Sequence, residues 1–176
     1  CEPPPQNDTK PLPTPTATNT PLFRDVSAQV GLSFQWGHKG RTPLNILETA
    51  GGGAAFLDYD NDGKLDILLI GDRVALFHNE GEKGFRDVTA TSGLDVTGDL
   101  MGCAVGDIDN DGYEDICITG YKTLRIYRNK KGTGQFEDVT AKSGIVPQTG
   151  NDWYTSAGFA DLDGDGWLDL VVCRYL

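Results

Sequence analysis

Twelve aspartates carry the chemistry of this chain. They fall in three nine-residue loops: Asp58-Tyr59-Asp60-Asn61-Asp62-Gly63-Lys64-Leu65-Asp66, Asp107-Ile108-Asp109-Asn110-Asp111-Gly112-Tyr113-Glu114-Asp115 and Asp161-Leu162-Asp163-Gly164-Asp165-Gly166-Trp167-Leu168-Asp169. Each reads D-x-D-x-D-G-x-x-D. Four carboxylates crowded into one loop repel one another unless a cation neutralises them. Calcium is a hard ion that takes about six to eight oxygens at roughly 2.3–2.6 Å. Aspartates at positions 1, 3 and 5 point three carboxylates at one centre, and position 9 returns a fourth. Position 7 needs only its backbone carbonyl, so its side chain is free to be Lys64, Tyr113 or Trp167. Position 6 is glycine in every copy, as a sharp turn requires. Position 4 is Asn61, Asn110 or Gly164, the types that best tolerate a left-handed backbone.

The expected metal ligands are therefore Asp58, Asp60, Asp62, Lys64 and Asp66 in the first loop. In the second they are Asp107, Asp109, Asp111, Tyr113 and Asp115, and in the third Asp161, Asp163, Asp165, Trp167 and Asp169. That makes one Ca²⁺ per loop and about three in all. Magnesium fits less well, because it keeps its waters and seldom takes an all-protein cage. An EF-hand begins with the same pattern but needs a bidentate Glu at position 12 and a helix on each side. Position 12 here is Leu69, Ile118 or Val172. The first loop is flanked by Gly-Gly-Ala-Ala-Phe-Leu and Ile-Leu-Leu-Ile, apolar runs of strand character. Each loop thus joins two strands of a hairpin.

The elements that position the loops repeat with them. The first aspartates stand at 58, 107 and 161, a period near fifty residues. A second motif, F-x-D-V-[ST]-A-x-x-G-[LI], occupies 23–32, 85–94 and 136–145. Between loop and motif lies a further strand, 74–78 or 124–128, followed by turn residues at 79–81 and 129–132. One unit reads strand, acidic loop, strand, strand, turn, strand. This predicts an all-β fold, a β-propeller built of four-stranded antiparallel blades with about three blades present. The small, apolar first strand of each unit suits a crowded inner ring.

The run 51–63 (Gly-Gly-Gly-Ala-Ala-Phe-Leu-Asp-Tyr-Asp-Asn-Asp-Gly), the L-x-I-Y-R-N stretch at 124–129 and the F-x-D-V-T-A motif resemble FG-GAP (VCBS) repeats, the integrin-type blade. The order of motif, Phe34, His38 and Leu47-Glu48 ahead of Gly51 is similar to the bacterial relatives of cartilage acidic protein, the ASPIC/UnbV group. The resemblance covers about 22–176. It implies a seven- or eight-bladed ring with calcium in the blade hairpins and no characterised reaction. No ASPIC/UnbV tail is present in the chain.

Seven of the nine prolines, with five threonines, fall within residues 1–21. Such a segment cannot bury a core and is expected to stay extended. Residues 1–21 are thus read as a flexible tether and 22–176 as the N-terminal part of a propeller. Cys1 ahead of that tether resembles the lipid-attachment residue of a mature bacterial lipoprotein; the alternative is an arbitrary start. No apolar run approaches the ~20 residues of a membrane span. The formal charge of −11 leaves no basic patch to meet phosphates, so nucleic acid is excluded as a partner. Cys103 and Cys117 flank the second loop and could face each other, but all of Cys103, Cys117 and Cys173 sit in apolar runs and read as buried free thiols.

Catalysis finds little support. His78 reads as exposed and inert at a strand end. His38 and Glu48 could form an acid–base pair, or His38 could simply be a loop residue held by a hydrogen bond. No nucleophile elbow, P-loop or zinc-protease motif occurs, and no catalytic residue is assigned. Trp153-Tyr154, read as lying in a loop before the third inner strand, could stack a sugar or a partner side chain or serve packing. The reading is a non-enzymatic, calcium-stabilised, membrane-anchored extracytoplasmic binding or scaffold module on a bacterial membrane, with a protein or glycan partner at the cell surface and a possible place as accessory subunit of a membrane complex. The alternative is a carbohydrate-active lyase or hydrolase whose active site lies outside this segment.

Overall fold

The structure is a computed structural model that describes residues 23–37, 46–145 and 152–175. Cys1, the tether and His38 lie outside the described residues.

Among the described residues, two four-stranded blades are complete and a third sheet has two strands. The first blade is β1 (Gly53–Leu57), β2 (Asp66–Ile70), β3 (Val74–Asn79) and β4 (Phe85–Asp87). The second is β5 (Leu100–Gly106), β6 (Asp115–Gly120), β7 (Thr123–Asn129) and β8 (Phe136–Asp138). Both sheets are antiparallel and run in chain order. The third sheet is the hairpin of β9 (Trp153–Ala160) and β10 (Asp169–Tyr175). The all-β blade architecture read from the repeat is what forms, with two strands of the third blade.

Every acidic loop closes the hairpin at its own blade's inner edge. Leu57 pairs with Asp66, Gly106 with Asp115 and Ala160 with Asp169. The blades then stack through alternate residues. Ile116 and Ile118 of β6 join Leu57, Leu68, Ile70 and Leu76 in one core between the first two blades. Cys117, between them, points the other way, into a second core with Leu124, Ile126 and Tyr154. A strand covered on both faces is apolar throughout, and β6 is buried along its whole length.

The F-x-D-V-[ST]-A motif closes its own blade and then reaches the next. Asp87 accepts the Thr89 N–H (2.9 Å) and hydroxyl (2.6 Å), and Thr89 Oγ1 accepts the Leu76 N–H at 2.9 Å. Thr140 repeats this between Asp138 (2.8 Å) and the Ile126 N–H (2.9 Å). The short helix α2 (Thr89–Ser92; α1 is Ile46–Ala50) ends on left-handed Gly93. A Cβ at Gly93 would stand 2.6 Å from the Phe136 carbonyl oxygen; at Gly31, in the preceding copy, 2.5 Å from that of Phe85. The first two copies of the motif therefore each lean on the phenylalanine of the next.

Three expectations need correction. The copy at 23–25 forms no strand, and Phe23 is 92% exposed, because no third strand lies beside it among the described residues. Trp153 and Tyr154 begin β9 rather than a loop; Trp153 packs on Tyr175 (centroids 5.1 Å apart) and Tyr154 is buried. Cys173 is exposed, since no sheet stacks on its face of β10 among the described residues, whereas Leu170 and Val172 on the other face pack against the second core. Cys103 is half-buried and Cys117 buried, both free thiols; they are offset by one register step, Cys117 lying opposite Ala104, and burial pushes Cys117 up to about 12.

Candidate metal centre

The three loops share one hydrogen-bond plan. The aspartate at position 1 accepts the N–H groups of positions 5 and 6. Asp58 takes those of Asp62 and Gly63 (3.0 and 2.9 Å), Asp107 those of Asp111 and Gly112 (3.0 and 2.8 Å), and Asp161 those of Asp165 and Gly166 (3.2 and 2.9 Å). Position 9 reaches back across the loop to the N–H of position 2: Asp66 to Tyr59 (3.3 Å), Asp115 to Ile108 (3.0 Å), Asp169 to Leu162 (3.0 Å). Position 4 is left-handed in all three, with φ of 56° at Asn61, 54° at Asn110 and 78° at Gly164. Position 6 has φ between 83° and 89°, which glycine accepts without a Cβ penalty.

This plan converges positions 1, 3 and 9. Carboxylate oxygens of Asp58, Asp60 and Asp66 lie within 4.8 Å of one another, as do those of Asp107, Asp109, Asp115 and of Asp161, Asp163, Asp169. Position 5 is engaged differently: Asp62, Asp111 and Asp165 each accept the N–H of position 7, at 2.9, 3.0 and 2.8 Å. Asp62 also pairs with Lys64 Nζ.

The position-9 carboxylates are the costly ones. Asp66 and Asp115 are fully buried. Each accepts a second N–H from the end of its blade's third strand, Asn79 to Asp66 and Asn129 to Asp115, both at 2.7 Å. Burial still dominates: it raises the Asp66 carboxyl and pushes Asp115 up to about 6, with Asp109 and Asp111 adding like-charge repulsion at the latter. Asp109 Oδ1 is a buried oxygen with no hydrogen-bond partner. Converging, desolvated oxygens with an unsatisfied acceptor among them suit a hard divalent cation.

Four polar residues beside the loops escaped the sequence reading. His78 is not exposed and inert: its side chain is 16% accessible, and Nδ1 lies 3.2 Å from Asp66 Oδ1 and 3.5 Å from Asp60 Oδ2. Its neighbour Asn79 marks the end of β3 as Asn129 marks the end of β7. Asn129 is buried and donates to the Tyr59 carbonyl of the first loop at 2.7 Å. Glu114 accepts the Asp58 N–H at 2.8 Å. The recurrence of Asn at the same place in two units was the available signal for Asn79 and Asn129; nothing marked His78 or Glu114.

Antiparallel blades whose inner hairpins carry matched carboxylate clusters able to hold a metal ion define a segment of a metal-loop β-propeller. The chain belongs to the FG-GAP-like repeat family, whose profile matches residues 58–118 and 107–172. It is similar to human cartilage acidic protein 1, 28% identical over 152 residues, covering 84% of this chain and 21% of that protein. It is equally similar to chicken integrin alpha-6, 28% identical over 168 residues, 86% of this chain and 15% of that one. The chain thus spans about a fifth or less of the length of these relatives. Among solved structures, an Agrocybe aegerita lectin, described as recognising non-reducing terminal N-acetylglucosamine, superposes with a TM-score of 0.47 at 22% identity, over 70% of this chain and 33% of its own. No helix among the described residues is long and apolar enough to cross a membrane.

Proposed function

We propose that the chain is part of a calcium-stabilised extracytoplasmic binding or scaffold module, without catalytic residues of its own. The observation that carries this is the threefold convergence of position 1, 3 and 9 carboxylates, with Asp66 and Asp115 buried at the base of their loops. Asp58, Asp60, Asp66, Asp107, Asp109, Asp115, Asp161, Asp163 and Asp169 supply the carboxylates that come together. Asp62, Asp111 and Asp165, with the carbonyls of Lys64, Tyr113 and Trp167, complete each site. The ion cancels repulsion within its loop and fixes the hairpin turn. Likeness to an integrin and to cartilage acidic protein 1 favours a protein partner at the cell surface over a reaction. At the other end of the hairpins, the exposed side chains of Asp95 and Thr97 are placed to meet it. Membrane anchoring through Cys1 and the tether at 1–21 enter this proposal from the sequence alone.

Chelation tests it. Removing calcium from the purified protein is expected to lower the melting temperature by several degrees, with recovery on adding calcium back in excess of chelator. A melt that EDTA leaves unmoved, in protein shown to be metal-free by elemental analysis, would refute the calcium role.

A further inference from the structure

The loops are not isolated from one another. Asn61 Nδ2, at position 4 of the first loop, donates to the carbonyl of Gly112, position 6 of the second, at 3.0 Å. Asn110 Nδ2, at position 4 of the second, donates to the carbonyl of Gly166, position 6 of the third, also at 3.0 Å. The accepting peptide is the same in both cases, and its other end is held within its own loop. The Tyr113 N–H donates to Asp111 and the Trp167 N–H to Asp165, at 3.0 and 2.8 Å. Each asparagine therefore grips the peptide on which its neighbour's position-5 carboxylate rests. Asn61 and Asn110 are themselves fixed between two carboxylates of their own loop, at positions 3 and 5. Between the first two loops a second bond runs in the same direction, from the Asp58 N–H to the Glu114 carboxylate.

We infer that adjacent cation loops are coupled through these contacts, so that filling one raises the affinity of the next, with Asn61, Asn110 and Glu114 as the positioning residues. This rests on the proposal that the loops hold cations. An ion in one loop orders its position-4 residue, which presents an already ordered donor to the neighbouring turn; the neighbour's ion then has less left to order. Linkage makes the effect reciprocal, and coupling of this kind is typically about fivefold or more in affinity. The contacts also rank the pairs. Position 8 is Glu114 in the second loop but Leu168 in the third, so the first pair has two links and the second pair one.

Trp167, at position 7 of the third loop, offers a local reporter, because terbium bound beside an indole emits when the indole is excited. The measurement is the terbium midpoint of the third loop in four proteins: wild type, Asp109→Asn, Asn110→Gly and the double variant. Asp109→Asn weakens the second site. Asn110→Gly removes the donor while keeping a residue suited to φ 54°, and the third loop already carries Gly164 at that position with φ 78°. Each single variant is expected to weaken the third loop about fivefold, and the double variant no further than either. An unchanged midpoint in Asp109→Asn, or single losses that multiply in the double variant, would overturn the coupling. Absence of Trp-sensitised terbium emission from the wild type would instead strike at the cation reading itself.

Discussion

The buried carboxylate of Asp115 makes metal-free protein respond to pH in a direction that calcium should abolish. Burial pushes this group from 3.8 to about 6. Between those values the folded protein holds a proton that the unfolded chain has already released. The contribution of this group to stability is therefore greatest below about pH 4 and is lost as pH rises through the folded value. At about 1.4 kcal/mol per pH unit, the full penalty at neutral pH is about 3 kcal/mol, of which about 2 kcal/mol accrues between roughly pH 4.5 and 7.5. Asp66 is raised for the same reason and adds in the same direction. The assay is urea unfolding at those two pH values in chelator, for wild type and Asp115→Asn. The variant cannot ionise at this position, so its loss of stability between the two pH values should be smaller than that of wild type by about 2 kcal/mol. General acidic repulsion is common to both proteins and cancels in the comparison. With excess calcium, the wild type should lose its penalty at pH 7.5, because the ion replaces the proton as the partner of the buried charge. Identical pH dependence in the two metal-free proteins would refute the assignment of the cost to Asp115.

Two further pairs of substitutions test how the blades are joined. Asn129→Ala leaves the Tyr59 carbonyl without its 2.7 Å donor and the Gly132 N–H without its 3.0 Å acceptor, and is expected to cost about 2–4 kcal/mol in chemical denaturation; Asn79→Ala, whose side-chain bonds to Leu65 and Gly81 are exposed, should cost less than half as much. Gly93→Ala sets a Cβ against the Phe136 carbonyl in a left-handed backbone, whereas Gly144, at φ 76°, has open space around it; Gly144→Ala is expected to cost about 1–2 kcal/mol and Gly93→Ala at least twice that, and equal losses by thermal melting would contradict the blade-to-blade role of the motif.

The loops were legible because each position has one local job that few residue types can do. A left-handed turn selects Asn or Gly, the tightest turn selects Gly, and converging ligands select Asp. The hairpins followed from apolar flanks of strand length. What depended on neighbours was read less well. Phe23-Arg24-Asp25 and Phe85-Arg86-Asp87 differ in no residue, yet only the second is a strand, since only it has β3 to pair with. Cys173 and Cys117 both sit in apolar runs, yet one is exposed and the other buried. An apolar run encodes the capacity to be covered; the adjoining strand or sheet decides whether it is. His78 was misread for a similar reason, because its closeness to Asp60 and Asp66 arises only when β3 folds back beside the loop.

The same distinction bears on how the loop consensus is understood. Its position 1, 3 and 9 aspartates look inward to one centre, and the residues between them read in one dimension as spacers. In the folded chain several of those spacers look outward. Position 4 reaches the next loop from Asn61 and Asn110, and position 8 reaches the preceding loop from Glu114. Position 2, through the Tyr59 carbonyl, receives Asn129 from the following blade. A repeat protein whose units touch only their neighbours must carry blade-to-blade register somewhere. Here part of it is written into the loops, so whatever stiffens a loop also sets the angle at which the next blade is held. On the proposed cation reading, a surface formed by several blades at the far end of the hairpins would have its shape governed by ions bound at the opposite end.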